Sequence, residues 1–183
     1  MRKLKLQMHI SIDGFVASND SVPTAFNWDT ELINHSVANL ENVDYILIGH
    51  KTAVDFIPYW AVVAEKPDAP DYRVGRLLTD IPKVIFSKTV TESKWANAKM
   101  ASGDLVEEIN KLKKEKGNDI MVYGGVEFVS SLVTNQLIDE YHLLVEPIAL
   151  GSGMPIFKQR TNLKLVKSTP FGSGVVVSQY EPS

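Results

Sequence analysis

The sequence predicts an α/β fold in which a mostly parallel sheet is covered by helices on both faces. Short apolar runs rich in β-branched residues have the length of buried strands, and segments with helical periodicity separate them. Because strands that alternate with helices join through crossover connections, most of the sheet is expected to be parallel. We interpret residues 1–183 as one domain. The predicted strands are 5–11, 45–49, 84–87, 120–123 and 141–148.

Three helices are predicted between these strands, over about 29–40, 102–117 and 125–134. The second has an apolar stripe, acidic residues in its first turn, lysines in its last turns and a glycine at its end, as the helix dipole favours. Segments 163–169 and 175–180 flank a turn-rich link and predict a C-terminal antiparallel hairpin. Segment 58–70 contains three prolines and is predicted to be a loop-rich insertion.

Composition excludes several classes of partner. The 183 residues carry 19 Lys+Arg and 22 Asp+Glu, a formal net charge of -3, so we expect neither nucleic acid nor a membrane surface as a partner. The chain has no cysteine, which excludes disulfides and thiolate chemistry. The N-terminal residues lack the apolar stretch of a secretory signal, and a cytoplasmic location is the expectation.

Two strand ends could bind phosphate. A buried strand ends in Gly124-Gly125 and passes into a helix, where free N–H groups and the helix dipole suit a pyrophosphate. A tight turn without a ligand is the alternative there. Another strand leads into a short polar segment before a helix-like stretch. This segment could also bind phosphate, or it could be a capped helix start with exposed charges. That segment is Gly49, His50, Lys51 and Thr52.

A third strand end carries Ser87, Lys88 and Thr89, which could hold a 2′-phosphate or form a polar loop. Parallel strands place their carboxyl ends along one edge of a sheet, where α/β proteins bind ligands. Three phosphate-compatible ends at one edge therefore favour a dinucleotide as the ligand.

The order of these pieces resembles the dihydrofolate-reductase-like superfamily, and more narrowly the reductase domain of bacterial riboflavin biosynthesis and its stand-alone relatives. The segments that carry the resemblance are 11–17, 48–52, 84–87, 122–125, 137–140 and 147–157. The resemblance implies a three-layer α/β/α fold with a mostly parallel mixed sheet and a C-terminal antiparallel hairpin. It also implies NADPH as cofactor and hydride transfer to a small heterocyclic substrate, as in 5-amino-6-(5-phosphoribosylamino)uracil reductase or dihydrofolate reductase.

The resemblance also assigns cofactor-binding positions. The end of the first strand borders the nicotinamide, and the three strand ends described above hold the phosphates and adenosine. The residues at these positions are Ile10, Gly14, Gly49, His50, Lys51, Thr52, Phe86, Ser87, Lys88, Tyr123, Gly124, Gly125, Val126, Glu127 and Phe128.

The proton donor is left open among three residues. Dihydrofolate reductases carry an acid on the helix after the first strand, and Asp29 and Glu31 are the acids in that region. His9 is a further candidate if the first strand turns it toward the cleft, because an imidazole donates a proton near neutral pH. Riboflavin-pathway reductases usually have a glutamate directly before the glycine pair. Here Tyr123 stands in that place, which makes the ribosylaminopyrimidine substrate doubtful.

Several features have more than one interpretation. Glu146, inside an apolar strand, is a substrate ligand, a subunit contact or an exposed edge residue, and Trp28, Tyr59 and Trp60 stack on a heterocycle or pack in a core. His35 and His142 lack partners at metal-ligand spacing, so no metal is expected. A non-catalytic nucleotide-binding protein is the alternative function. The apolar C-terminal strands predict a homodimer that hides their edge.

Overall fold

The computed structural model describes residues 1–20 and 28–183, and its centre is an eight-stranded mixed sheet. The strand order is β5-β4-β3-β6-β1-β7-β10-β9, and β2 pairs with β8 in a separate two-stranded sheet. The strands are β1 (Leu4–Ser11), β2 (Phe15–Ala17), β3 (Val43–Gly49), β4 (Lys83–Phe86), β5 (Ala98–Met100), β6 (Asp119–Val122), β7 (Glu140–Glu146), β8 (Met154–Pro155), β9 (Leu163–Pro170) and β10 (Val176–Pro182).

Six neighbouring strands of the sheet, from β5 to β7, pair in parallel. Strand β10 runs antiparallel to both β7 and β9, so the chain ends in an antiparallel hairpin. The predicted fold class is confirmed, and the five predicted strands lie within two residues of the observed bounds. Because β1, β3, β4, β6 and β7 are parallel, their carboxyl ends lie along one edge of the sheet.

Helices cover both faces of this sheet, as predicted. Helices α4 and α5 pack on one face, over buried side chains of β1, β3 and β6. Helices α1, α2 and α3 contribute to the core on the opposite face. The helices are α1 (Thr30–Leu40), α2 (His50–Val63), α3 (Tyr72–Asp80), α4 (Leu105–Lys114) and α5 (Val126–Thr134).

The expected loop at 58–70 is wrong in its first half. Helix α2 continues through Pro58 to Val63, and Trp60 is buried within it. A proline in a helix interior removes the N–H that would bond to the carbonyl four residues earlier. That earlier residue is Val54, which is exposed, as is Pro58, so solvent can reach this part of the helix surface. The aromatic side chains of the segment therefore belong to a helix.

Helix α3 and the short strand β5 were absent from the sequence-based prediction. Helix α3 packs mainly against α2 and α1, while β5 is a three-residue edge strand beside β4. Within the described residues, no helix is long and apolar enough to cross a membrane.

Candidate active site at the carboxyl edge of the sheet

Two of the predicted phosphate-binding strand ends meet in the structure. The Gly49 N–H donates to the Gly124 carbonyl oxygen over 2.8 Å, which joins the end of β3 to the turn after β6. A Cβ atom on Gly125 would lie 2.3 Å from Oγ1 of Thr52, and one on Gly49 would lie 3.2 Å from Cβ of Phe128. Gly124 adopts a φ of 124°, and the Gly124–Gly125 peptide is cis. The approach between α2 and α5 therefore requires glycine at position 125.

Both helices at this junction begin without a side-chain cap. The N-cap of α2 is Gly49 and that of α5 is Gly125, so neither helix start has a side-chain acceptor. By contrast, Asp29 caps α1 and Asp104 caps α4 with side-chain oxygens. Uncapped N–H groups and the positive end of the helix dipole form a site for an anion. Two such helix starts meet at this edge of the sheet.

The third predicted strand end lies beside the other two. The ring of Phe86, at the end of β4, stacks on that of Phe128 with centroids 4.7 Å apart. The Oγ of Ser87 accepts from the backbone N–H groups of residues 89 and 90, and its hydroxyl proton can still be donated to a phosphate. Lys51 and Lys88 are exposed, and the ring of His50 lies 6.3 Å from that of Trp95.

Two residues of the predicted cofactor site, Val126 and Glu127, lie in the first turn of α5. Val126 is half-buried in the first turn of α5. Glu127 is exposed and pairs with Lys158, Oε2 to Nζ, over 3.0 Å. Nothing in these contacts gives Glu127 a role in binding an anion.

The turn after β1 is held by a loop from the C-terminal third of the chain. Ile10 is buried near the end of β1, and Gly14 makes the turn with a φ of 89°. Asp13 accepts from the Leu150 N–H over 3.1 Å and the Gly151 N–H over 2.7 Å. The Ser11 hydroxyl and then the Leu150 N–H lower the pKa of Asp13. Asp13 therefore fixes the segment 147–157 against the end of the first strand.

His9 lies near the carboxyl end of β1 and pairs with an acid on the neighbouring strand. Its Nδ1 is 2.6 Å from Oε1 of Glu146, at the end of β7. The side chain of His9 is 12% exposed and that of Glu146 is 1% exposed. The Trp28 ring lies 5.6 Å from the His9 ring and 6.1 Å from the Trp60 ring. An imidazole, a carboxyl and an aromatic wall thus share one end of the sheet.

Asp29 and Glu31 bind backbone N–H groups. Asp29 Oδ1 accepts from the Leu32 N–H over 2.7 Å, and Oδ2 accepts from the Ser173 N–H over 2.9 Å. The Leu32 N–H is the main cause of a lowered pKa at Asp29, which does not suit a proton donor at neutral pH. Glu31 is exposed and accepts from the Gly172 N–H over 3.3 Å. Asp29 and Glu31 thus accept backbone N–H groups at the start of α1, whereas the His9 ring pairs with Glu146.

Tyr123 occupies the position directly before the glycine pair. Its ring lies 5.7 Å from that of Phe56, and its hydroxyl is buried with no hydrogen-bond partner among the described residues. Burial raises the pKa of Tyr123, so its hydroxyl stays protonated and can donate a hydrogen bond.

Comparisons with known proteins agree with this fold. Residues 2–177 match the model of the RibD C-terminal domain, and the chain belongs to that family. It is 32% identical to the uncharacterised protein YyaP of Bacillus subtilis (strain 168), over 98% of this chain and 94% of that protein. The suspected resemblance to the reductase domain of riboflavin biosynthesis is confirmed.

Solved structures show the same fold. A putative riboflavin biosynthesis protein from Shewanella sp. PV-4 matches with a TM-score of 0.71 at 24% identity, over 100% of this chain and 99% of that chain. A Thermotoga maritima diaminohydroxyphosphoribosylaminopyrimidine deaminase/5-amino-6-(5-phosphoribosylamino)uracil reductase matches with a TM-score of 0.68 at 14% identity. This chain is covered in full, and 57% of the Thermotoga chain is matched.

Sequence reasoning did not assign Glu146 to the catalytic or cofactor-binding residues. The sequence showed an acid within an apolar strand. Such an acid has several interpretations as long as the residue that pairs with it is unknown. The pairing register supplies that partner, because Ser11 of β1 lies opposite Glu146 of β7 and His9 is two residues away on the same face. The acid and the imidazole are 137 residues apart in sequence.

Proposed function

We propose that this protein is an NADPH-dependent oxidoreductase that reduces a small heterocyclic compound. The observation that carries the proposal is the junction of Gly49, Thr52 and Gly125, where two uncapped helix starts meet at the carboxyl edge of the sheet. Membership of the RibD C-terminal family supports a reductase.

The residues present fit the proposed cofactor. The helix starts after Gly49 and Gly125 have no side-chain cap, so the N–H groups of their first turns are donors that suit a pyrophosphate. Lys51 and Lys88 are exposed cations next to this junction and are suited to phosphate contacts. When bound, NADPH would supply a hydride from C4 of its nicotinamide ring.

The remaining chemistry falls to side chains at the ends of β1 and β7. Reduction of a C=N or C=O group needs a proton on the heteroatom as well as a hydride on carbon. His9 is placed to hold that proton, and Trp28 offers an aromatic surface that orients a flat substrate and excludes water. Because the residue directly before the glycine pair is Tyr123 and carries no carboxylate, we expect a substrate other than the one named for the Thermotoga neighbour.

Calorimetric titration with NADPH and NADH tests the cofactor. We expect NADPH to bind, and the Gly125→Ala substitution to weaken binding at least about tenfold, because the new Cβ would collide with Thr52 and displace the two helix starts. Gly172→Ala is the matched control, since the nearest atom to a Cβ there is 3.7 Å away. Lys51→Ala, at an exposed site, should weaken NADPH binding without affecting the fold. Absence of binding by the unsubstituted protein would refute the proposal.

A non-catalytic nucleotide-binding protein is a second candidate, favoured by the use of Asp29 as a helix cap and by the lack of a carboxyl at Tyr123. Oxidation of NADPH, followed at 340 nm with a panel of pterin, pyrimidine and other heterocyclic acceptors, distinguishes the two. Turnover with any acceptor supports the reductase, and NADPH binding without turnover across the panel supports the second candidate.

A further inference from the structure

The same contact between a histidine and a glutamate occurs twice on β7 and its neighbours. His142 Nε2 lies 2.6 Å from Oε1 of Glu140, and His9 Nδ1 lies 2.6 Å from Oε1 of Glu146. Both glutamates are buried, and both belong to β7. The two pairs differ in what the carboxyl oxygens do next, and that difference separates a structural pair from a functional one.

The first carboxyl group is satisfied within the fold. Oε1 of Glu140 also accepts from Nε2 of Gln179 over 3.0 Å, and Oε2 accepts from Nζ of Lys3 over 3.1 Å. The hydrogen bond from His142, followed by that from Lys3, lowers the pKa of Glu140 to about 2. This pair lies toward the start of β7, away from the carboxyl edge, and both oxygens of Glu140 have donors within the fold.

The second carboxyl group is incomplete. Oε2 of Glu146 is buried and has no hydrogen-bond partner among the described residues. A buried polar oxygen without a donor costs about 1–3 kcal/mol. Glu146 lies at the carboxyl end of β7 next to His9, whose ring is 5.6 Å from that of Trp28. Because Oε2 is buried, a ligand at this edge of the sheet reaches it only when the atoms that cover it move, and an N–H group of that ligand then supplies the missing donor.

We propose that Glu146 acts in the candidate active site through both of its oxygens. Oε1 holds the His9 imidazole in place, and Oε2 accepts a hydrogen bond from an N–H group of the substrate. The ligand class this defines is a flat ring with N–H or NH₂ donors, placed beside Trp28. Glu146 is thus a positioning residue for His9 and a binding residue for the substrate.

The role in reduction rests on the proposed function. As the substrate carbon accepts a hydride, the π-electron pair of the C=N or C=O bond moves to the heteroatom. The protonated His9 gives its proton to that heteroatom and becomes a neutral imidazole, which takes a new proton from water. Throughout, Glu146 keeps its hydrogen bond to Nδ1 and stabilises the charged imidazole before the proton is transferred.

Benzamidine is a suitable probe, because it is a flat cation with N–H donors that complement a carboxylate. Benzoate has the same shape and the opposite charge. The full-length protein, labelled with ¹⁵N in its histidine rings, is titrated with each compound while NMR follows the ring signals of His9 and His142. We expect benzamidine, and not benzoate, to shift the His9 signals.

The Glu146→Gln variant should bind benzamidine at least about tenfold more weakly than the unsubstituted protein. The Nδ1–H signal of His9 should also move to a different chemical shift. Glu140→Gln is the matched control, since it breaks the other pair and should change His142 while leaving benzamidine binding intact. Equal affinity in the two variants, no binding to the unsubstituted protein, or shifts at His142 in place of His9 would each overturn the proposal.

A calorimetric titration of Glu146→Gln with NADPH separates this inference from the proposed function. We expect the affinity for NADPH to stay within about twofold of that of the unsubstituted protein, because the side-chain contact of Glu146 within the described part of the chain is to His9 and not to the glycine junction. If no NADPH binds to either protein, the cofactor assignment fails while the benzamidine result still decides the role of Glu146. If Glu146→Gln alone loses NADPH, the residue serves the cofactor and the substrate assignment is overturned.

Discussion

His35, on α1, is a histidine whose protonation works against folding. Nε2 of His35 lies 3.1 Å from Nδ2 of Asn39, and its ring is 6.2 Å from that of His142. Burial, followed by the positive charges of His142 and Lys167, lowers the pKa of His35 to about 4. In the unfolded chain a histidine has a pKa near 6.5. Stability from neutral His35 is therefore complete above about pH 6.5 and is lost as the pH falls toward 4.

We expect the His35→Gln variant to lose less stability than the unsubstituted protein between pH 6.5 and 4. Because the ring is partly screened by solvent, the two proteins should differ by on the order of 1–2 kcal/mol in the free energy of unfolding that they lose over this pH range. Urea unfolding at pH 7, 5.5 and 4.5 measures it. His50→Gln, on α2, is the control. Equal pH slopes for His35→Gln and the unsubstituted protein would contradict the assignment.

Asp29 is an acid that could act as a proton donor or as a helix cap. The sequence placed an acid where dihydrofolate reductases carry a catalytic one, but both oxygens of Asp29 accept backbone N–H groups. We expect Asp29→Ala to lower the thermal midpoint more than Asp29→Asn, because the amide oxygen still accepts a hydrogen bond at the start of α1. NADPH oxidation should survive Asp29→Asn and be lost in His9→Gln. Loss of turnover in Asp29→Asn with an unchanged midpoint would restore Asp29 as the proton donor.

At the scale of elements, the contact between β2 and the segment before β8 depends on one glycine. A Cβ atom on Gly153 would lie 2.3 Å from the carbonyl oxygen of Ala17 and 3.0 Å from Cβ of Phe15. Two backbone segments meet there, and neither can move as a flexible side chain would. This contact holds the small sheet β2–β8 beside the end of β1.

Gly153→Ala is therefore expected to destabilise the protein by about 1–3 kcal/mol, which overpacking in a close contact typically costs. Thermal and urea unfolding measure the change. Gly172→Ala introduces the same methyl group with 3.7 Å to the nearest atom and should change stability by less than about 0.5 kcal/mol. Similar stabilities for the two variants would show that the segment relaxes without cost.

Local sequence patterns predicted the elements whose signals are local. The buried strands have uninterrupted apolar runs, and the N-cap of α4 is Asp104, followed by acids and then lysines. Helix α2 was cut short in the prediction because Pro58 is a strong local signal for a loop. Packing of Trp60 and Val63 into the core outweighs that signal. Local patterns could not predict the pair of His9 and Glu146 in the site, because these residues come together only through the pairing of β1 with β7.

At the scale of the whole molecule, the sheet ends in an edge that the fold leaves exposed. Strand β9 pairs with β10 on one side and has no other strand beside it within the described residues. Five successive residues of β9, from 164 to 168, are exposed, and the side chains of Leu165 and Val166 are each 52% exposed. Successive residues in a strand point to opposite faces, so neither face is covered by a helix here. Lys164 and Lys167 flank these two apolar side chains, and an exposed edge strand with apolar residues on both faces can pair with another strand.

We therefore predict that the protein forms a homodimer in which the β9 strands of two copies pair about a twofold axis. Light scattering coupled to size-exclusion chromatography should give twice the 20.4 kDa mass of the chain at micromolar concentration. Leu165→Glu combined with Val166→Glu should give a monomer, because like charges on both faces oppose pairing. Val62→Glu, at an exposed residue of α2, places one such charge elsewhere and should leave the dimer intact. A monomeric unsubstituted protein would refute the prediction, and a dimer that survives the double substitution would move the interface away from β9.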